Sequence, residues 1–180
     1  MADEIAQILL KRFHSLETQR QTWEAHWQEV ADFVVPRKAD VTKNRSPGDK
    51  RSELVFDGTA ILAAELLAAS LHGMLTNGST SWFSLRYSDQ DLNGDDEAME
   101  WLQGVEDVMY QAFNRSNFQE QIHELYQDLV TFGTAVMFVD ADDEQQVRFS
   151  TRHIKECFLS EDDKGRVDTV FRKFKMPARA

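Results

Sequence analysis

Residues 57–87 read DGTAILAAELLAASLHGMLTNGSTSWFSLRY, and the interpretation of this stretch decides the fold. From Ala60 to Leu75 it interleaves Ile61, Leu62, Leu66, Leu67, Leu71 and Leu75 with Ala63, Ala64, Ala68, Ala69, Ser70 and Gly73. Most of these are strong helix formers. Apolar residues on every side of the helix predict that it is buried at the centre, with the rest of the chain as its wrapping. Asp57 and Thr59 offer side-chain oxygens to the first-turn amides, and Asn77 and Gly78 tolerate left-handed backbone at the far end. Ala60, Ala64 and Ala68 recur every four positions, where a neighbouring backbone can come close. The run is too short for a membrane span and carries Glu65 and His72. From Trp82 to Tyr87, Phe83, Leu85 and Tyr87 alternate with Ser84 and Arg86, which predicts a half-buried strand.

The composition supports a packed core around that helix. The chain has 180 residues, 42% of them hydrophobic and 11% aromatic, enough for one or two domains and too apolar for intrinsic disorder. Twenty basic against thirty-one acidic residues leave a net charge of -11, which argues against a surface that holds nucleic acid by neutralising phosphates. Cys157 is the only cysteine, so no internal disulfide forms and no oxidising compartment is required. Asp3 and Glu4 precede a helical pattern without the basic start or apolar core of a signal peptide, which predicts function without export.

Before residue 57, Leu9, Phe13, Leu16, Arg20, Trp23, Trp27, Val30 and Val34 are spaced alternately four and three. This is a heptad seam interrupted once, by Arg20. A helix from Ile5 to Val35 would run about 45 Å at about 1.5 Å per residue. Two readings stand side by side: the seam packs partly on another subunit, or it is a core helix with a bend between Thr18 and Thr22. Pro36 ends it, because the residue before a proline is pushed out of the helical region.

Residues 37–51 form the one basic island. Arg37, Lys38, Lys43, Arg45, Lys50 and Arg51 outnumber Asp40 and Asp49, giving +4 in a loop marked by Asn44, Ser46, Pro47 and Gly48. These six are the candidate subunit-contact or DNA-contact residues. No aromatic side chain is interleaved for stacking on bases. A solvated loop, or one that meets an acidic neighbouring subunit, fits such a short patch better than a nucleic-acid site.

Past residue 87, two amphipathic helices follow a polar turn. Met99, Trp101, Leu102, Val105, Val108, Met109, Ala112 and Phe113 line the first; Phe118, Ile122, Leu125, Tyr126, Leu129 and Phe132 line the second. Residues 114–117 break them apart, and Gly133 closes the second. Ala135 to Val139 reads as a strand entering a buried sheet, followed by strands at 146–150, 156–160 and 166–176. Gly165 sits where a hairpin needs a left-handed residue. Helices first and a small, mainly antiparallel sheet afterwards define an α+β fold.

Chemistry is scarce. Glu120-x-x-His123 resembles half of a carboxylate-bridged metal site, but no second histidine has a glutamate three residues before it. Asp140, Asp142 and Glu144 begin like a calcium loop, yet Gln145 stands where the sharp turn needs glycine, so a solvated hairpin turn is the reading. His72 reads as a core histidine with a backbone partner. No glycine-rich phosphate loop, Gly-x-Ser-x-Gly elbow or Cys/His metal spacing occurs. The residues therefore assign no catalytic, cofactor or metal role and describe a structural or assembly component.

Several runs also carry a resemblance. Trp23, His26-Trp27, Ala31-Asp32-Phe33-Val34-Val35-Pro36-Arg37, Phe56-Asp57-Gly58-Thr59-Ala60, Leu71-His72-Gly73-Met74-Leu75-Thr76-Asn77 and Trp82-Phe83-Ser84-Leu85 come in the order found in portal proteins. Portals are the head-to-tail connectors of short-tailed bacteriophages. Phe113 to Phe118, His123 to Leu129, Phe132 to Ala135 and Gly165 to Val170 are similar to the same family in order and approximate spacing. The resemblance implies a non-enzymatic ring, usually dodecameric, at one capsid vertex. Through it DNA is packaged and ejected without tight binding. It further implies the terminase large subunit, scaffolding or capsid proteins and tail adaptors as partners, with a location in the virion and, during assembly, in the host cytoplasm. Portals are several times longer than this chain. It is expected to be their N-terminal body or wing: a long helix at 1–36, a basic loop at 37–56 and an α+β core at 57–180, with stem, clip and crown absent. The alternative is a small adaptor of the same fold that forms no ring.

Overall fold

The computed structural model describes residues 2–178. Four helices come first: α1 (Ala2–Val34), α2 (Thr59–Leu75), α3 (Asp96–Arg115) and α4 (Phe118–Phe132). Two hairpins follow, β1 (Val136–Asp142) with β2 (Gln146–Arg152), and β3 (Cys157–Glu161) with β4 (Val167–Arg172). The α+β class is as the sequence predicts. The strands, however, form two separate two-stranded sheets rather than one. Each hairpin finds its own helical support, so nothing joins their edges.

The chain divides into two compact units. One holds the described residues up to 65, with 128–136 and those from 152 onward; the other holds 66–127 and 137–151. In the first, Trp27 and Ala31 of α1 pack with Ala39, Val41, Phe132 and Ile154. Of the α1 seam, Trp27 is buried within the chain, and Leu9 and Trp23 are exposed. Arg20, the interruption, turns inward. Its guanidinium donates to the carbonyls of Ile154 (3.0 Å), Lys155 (3.0 Å) and Cys157 (2.6 Å) and pairs with Glu24 at 2.7 Å. The β3–β4 register pairs Cys157 with Arg172 and Ser160 with Thr169, and Gly165 takes φ +73° in the turn, as expected.

The second unit is built on aromatic packing. Ala68 sits in a core with Phe118, Ile122, Tyr126 and Phe149, against which Trp82, Phe113, Leu71 and Val147 pack. The Trp82 and Phe118 rings stack at 5.6 Å. Asn117, in the α3–α4 break, acts as a piece of backbone toward β2. Its amide donates to Phe149 O at 2.8 Å and its carbonyl accepts Phe149 N–H at 2.9 Å. Asp95 caps α3 by accepting the amides of Glu97 and Ala98, and Gly133 ends α4 at φ +74°.

Several sequence expectations are corrected here. Residues 82–87 keep the alternation of a half-buried strand but pair with no strand. Side chains take over that role. The Tyr110 hydroxyl accepts Phe83 N–H and donates to Phe83 O, both at 2.7 Å, while Glu106 accepts Leu85 N–H and Asn93 accepts Tyr87 N–H. Nor is α2 buried on every side. Ala68 is fully buried, but Leu62, Leu66, Leu67, Met74 and Leu75 are exposed. Apolar composition states what a helix face needs, not whether its own chain has the surface to cover it. β1 likewise leaves Phe138 and Val139 exposed, so it enters no buried sheet. Asp57 does cap α2, accepting both the Thr59 amide and hydroxyl, whereas Asn77 and Gly78 do not adopt the left-handed backbone allowed for them. His72 bonds to the Gln119 side chain at 2.7 Å rather than to backbone. Among the described residues, no helix is long and apolar enough to cross a membrane.

Candidate subunit-contact loop

The basic island begins in a 3-10 turn at Pro36–Lys38 and is tied to α1 by one buried amide, Gln28. Gln28 Nε2 donates to Ala39 O at 2.7 Å and to Asp32 Oδ1 at 3.0 Å. Its Oε1 accepts the Thr42 and Lys43 amides at 2.9 and 3.2 Å. One side chain thus satisfies three backbone groups of the loop, which is what a backbone without regular structure requires.

The charges are organised on the same pattern. Lys43 meets Asp32 at 2.6 Å, Arg45 meets Asp40 at 3.0 Å and Asp32 at 3.5 Å, and Arg51 meets Asp40 at 2.8 Å. Lys38 points inward to the buried Asp128 of α4. Burial works against ionisation of Asp40, but hydrogen bonds from Arg51 and Arg45 outweigh it and hold the carboxyl below its ordinary range. Asp32 and Asp128 join Asp40 and Asp49 around the six bases, so the local excess falls from +4 to +2. Arg37 lies exposed on the 3-10 turn, and Lys50 is exposed with no ion pair among the described residues. Of the six candidate residues, Lys38, Lys43, Arg45 and Arg51 thus brace the loop by ion pairs.

Beside the loop, in the same unit, an open groove of about 490 Å³ runs between α1 and the β3 hairpin. Leu16, Trp23, Trp27, Phe132 and Phe158 line it, with Arg20 in its floor. Cys157 also borders it, but the thiol is buried, and burial pushes its pKa up, away from the reactive thiolate.

The sequence analysis missed the roles of Gln28 and Arg20. For Arg20 a signal existed, since a lone cation in an apolar seam has to find acceptors. For Gln28 there was none, because the loop carbonyl and amides it meets lie eleven or more residues away. Elsewhere, Asp142 accepts the amides of Glu144 and Gln145 in the β1–β2 turn, the hairpin arrangement expected of it. His123 lies with its ring 5.5 Å from that of His72. Among the described residues, no three His, Cys, Asp or Glu side chains gather as metal ligands.

The described residues thus combine helices that brace a loop by ion pairs, two separate hairpins and large exposed apolar faces. Over residues 6–180 the chain matches the bacteriophage head to tail connecting proteins, and it belongs to that family. It is 32% identical over 170 residues to a probable portal protein of Bordetella phage BPP-1, a match spanning 94% of this chain and 31% of that protein. It is 31% identical over 180 residues to the portal protein of Salmonella phage epsilon15, spanning 99% of this chain and 32% of that one. The chain thus covers about a third of the length of the curated relatives it matches.

Proposed function

We propose that this chain is the N-terminal body, or wing, of a portal subunit, a structural part of the ring at one capsid vertex through which DNA enters and leaves. The observation that carries this reading is the match to two phage portal proteins across nearly the whole chain. The charge supports it as well. A net charge of -11, with most of the basic loop committed to its own carboxylates, suits a channel wall past which DNA slides. Lys50, exposed in the loop, is placed to meet an acidic patch of a neighbouring subunit, where opposite charges set register more than affinity. Terminase, capsid or scaffolding proteins and tail adaptors are the partners this role calls for, in the virion and, during assembly, in the host cytoplasm. The work done is positional rather than enzymatic.

Electron microscopy and native mass spectrometry of the purified protein test the reading. Closed rings with a fixed subunit number are the expected result. A protein that stays monomeric and binds a tail or capsid protein one to one would replace it with the non-ring adaptor.

A further inference from the structure

β3 is paired along one edge only. Lys173 N–H donates to Glu156 O at 2.8 Å, so these two form a hydrogen-bonded pair, and along the register Phe158 with Phe171 and Ser160 with Thr169 do the same. The backbone of Cys157 and Leu159 therefore turns to the outer edge. At Cys157 both groups are used, the N–H on Ile154 O and the carbonyl on Arg20 at 2.6 Å. The N–H and carbonyl of Leu159 find no partner among the described residues.

This open edge faces the groove between α1 and β3. Leu159 and Glu161 line it together with Leu16 and Trp23 of α1, whereas Ser160, whose backbone turns to β4, does not. All the lining residues belong to the first unit. Trp23 is 58% exposed, so the α1 wall offers uncovered aromatic surface. Arg20 in the floor is matched by Glu24 at 2.7 Å, which leaves Glu161, exposed and in no ion pair among the described residues, as the uncompensated charge of the groove.

These features select the chemistry of an occupant. A donor and an acceptor on one strand residue are met together by the backbone of another extended segment. The Phe158 ring turns to α1, 4.8 Å from that of Phe13, so Leu159 and Glu161 project from the opposite face of β3. An added strand would alternate in the same way, with one set of side chains against Leu16 and Trp23 and the other on the side of Glu161. The first set has to be apolar and the second basic.

We propose that the outer edge of β3 takes up an extended segment of a partner protein, with apolar and basic residues in alternation, as an added strand. Main-chain hydrogen bonds supply affinity in this mode of recognition, and the pockets for alternate side chains supply specificity. The inference goes beyond the portal reading and does not depend on ring formation.

A labelled, acetylated peptide of alternating valine and lysine tests it, with fluorescence anisotropy near physiological salt as the readout. Saturable micromolar binding is expected, and the Leu159 amide should exchange with deuterium more slowly in the complex. N-methylation of every lysine or of every valine separates strand pairing from charge. One removes the donors that face β3 and the other those that face away, so one peptide should bind about tenfold more weakly and the other nearly as the parent peptide does. On the protein, Leu159→Pro removes an N–H that the hairpin does not use, and Glu161→Gln removes the groove's charge; each should weaken binding. If the proline variant melts early, the two methylated peptides decide the point on the unaltered protein. Equal effects of the two methylations would overturn strand pairing, and binding unchanged by Glu161→Gln would overturn the basic requirement. Absence of saturation at millimolar peptide would overturn the proposal as a whole. Self-association of the parent that Leu159→Pro abolishes would overturn a foreign occupant and assign the edge to a second copy.

Discussion

Arg20 holds its guanidinium carbon 3.6 Å from the ring centroid of Phe158, so the one cation in the α1 seam lies against the hairpin it supports. Its nitrogens point to the carbonyls of Ile154, Lys155 and Cys157, and Glu24 balances the charge. Arginine suits this place because a planar, weakly hydrated cation stacks on a ring and fans its donors outward in the ring plane. Removing it takes one donor from each of three carbonyls and the charged partner from Glu24. Arg20→Ala should therefore destabilise the first unit by about 3–5 kcal/mol, and Arg20→Lys by about 1–3 kcal/mol, since lysine brings the charge without the fan. Urea unfolding measures both, and a lysine variant as stable as the parent would show that geometry contributes nothing.

Tyr110 does for residue 83 what a neighbouring strand would do. Its hydroxyl is both acceptor and donor to the Phe83 backbone, so Tyr110→Phe removes two hydrogen bonds with one atom. The expected loss is about 1–3 kcal/mol. The Phe83 amide should exchange with deuterium faster than in the parent. Unchanged exchange would mean that another group holds the segment.

Ala68 and Ala63 lie on the same helix but meet opposite conditions, the first fully buried and the second exposed. Ala68→Leu overpacks the Phe118–Tyr126–Phe149 core and should cost about 1–3 kcal/mol. Ala63→Leu should lie within about 0.5 kcal/mol of the parent. Equal effects of the two substitutions on thermal melting would contradict the one-sided burial of α2.

Asp40 links the loop to acid stability. Its carboxyl is held below its ordinary range in the folded state, so the folded protein binds fewer protons than the unfolded chain near that range. Its contribution is fully present above the unfolded value of about 3.9 and fades as pH falls through the lower folded value. Asp40→Asn should thus be less stable than the parent at neutral pH, with the gap closing toward pH 2. A gap that persists in acid would assign the effect to packing instead of charge.

Duplex DNA should bind this chain negligibly near physiological salt, because phosphate neutralisation supplies most non-specific affinity and the loop's bases are largely committed. Changing Arg37, Lys38, Arg45 and Arg51 together to Ser should lower the melting temperature, as it breaks pairs to Asp32, Asp40 and Asp128. Fluorescence anisotropy with a labelled duplex checks the first point. Submicromolar binding that the four changes abolish would make the loop a nucleic-acid site.

Much of this protein follows from local pattern. Helix starts and stops at Asp57, Asp95 and Gly133, the hairpin turn at Gly165 and the α+β order of elements all depend on residues within a few positions of one another, and backbone preferences act at that range. The family motifs are likewise strings of neighbours. Partner choice is different, because it depends on residues far apart in the chain. Six bases between 37 and 51 look like a free patch until Asp32 and Asp128 come beside them, and the alternation at 82–87 looks like a strand until Tyr110 and Glu106 occupy its edge. The apolar run at 60–75 specifies a helix by itself. Which of its faces is covered depends on whether other surface reaches it, and only the folded chain decides that, since burial is a property of neighbours and not of composition.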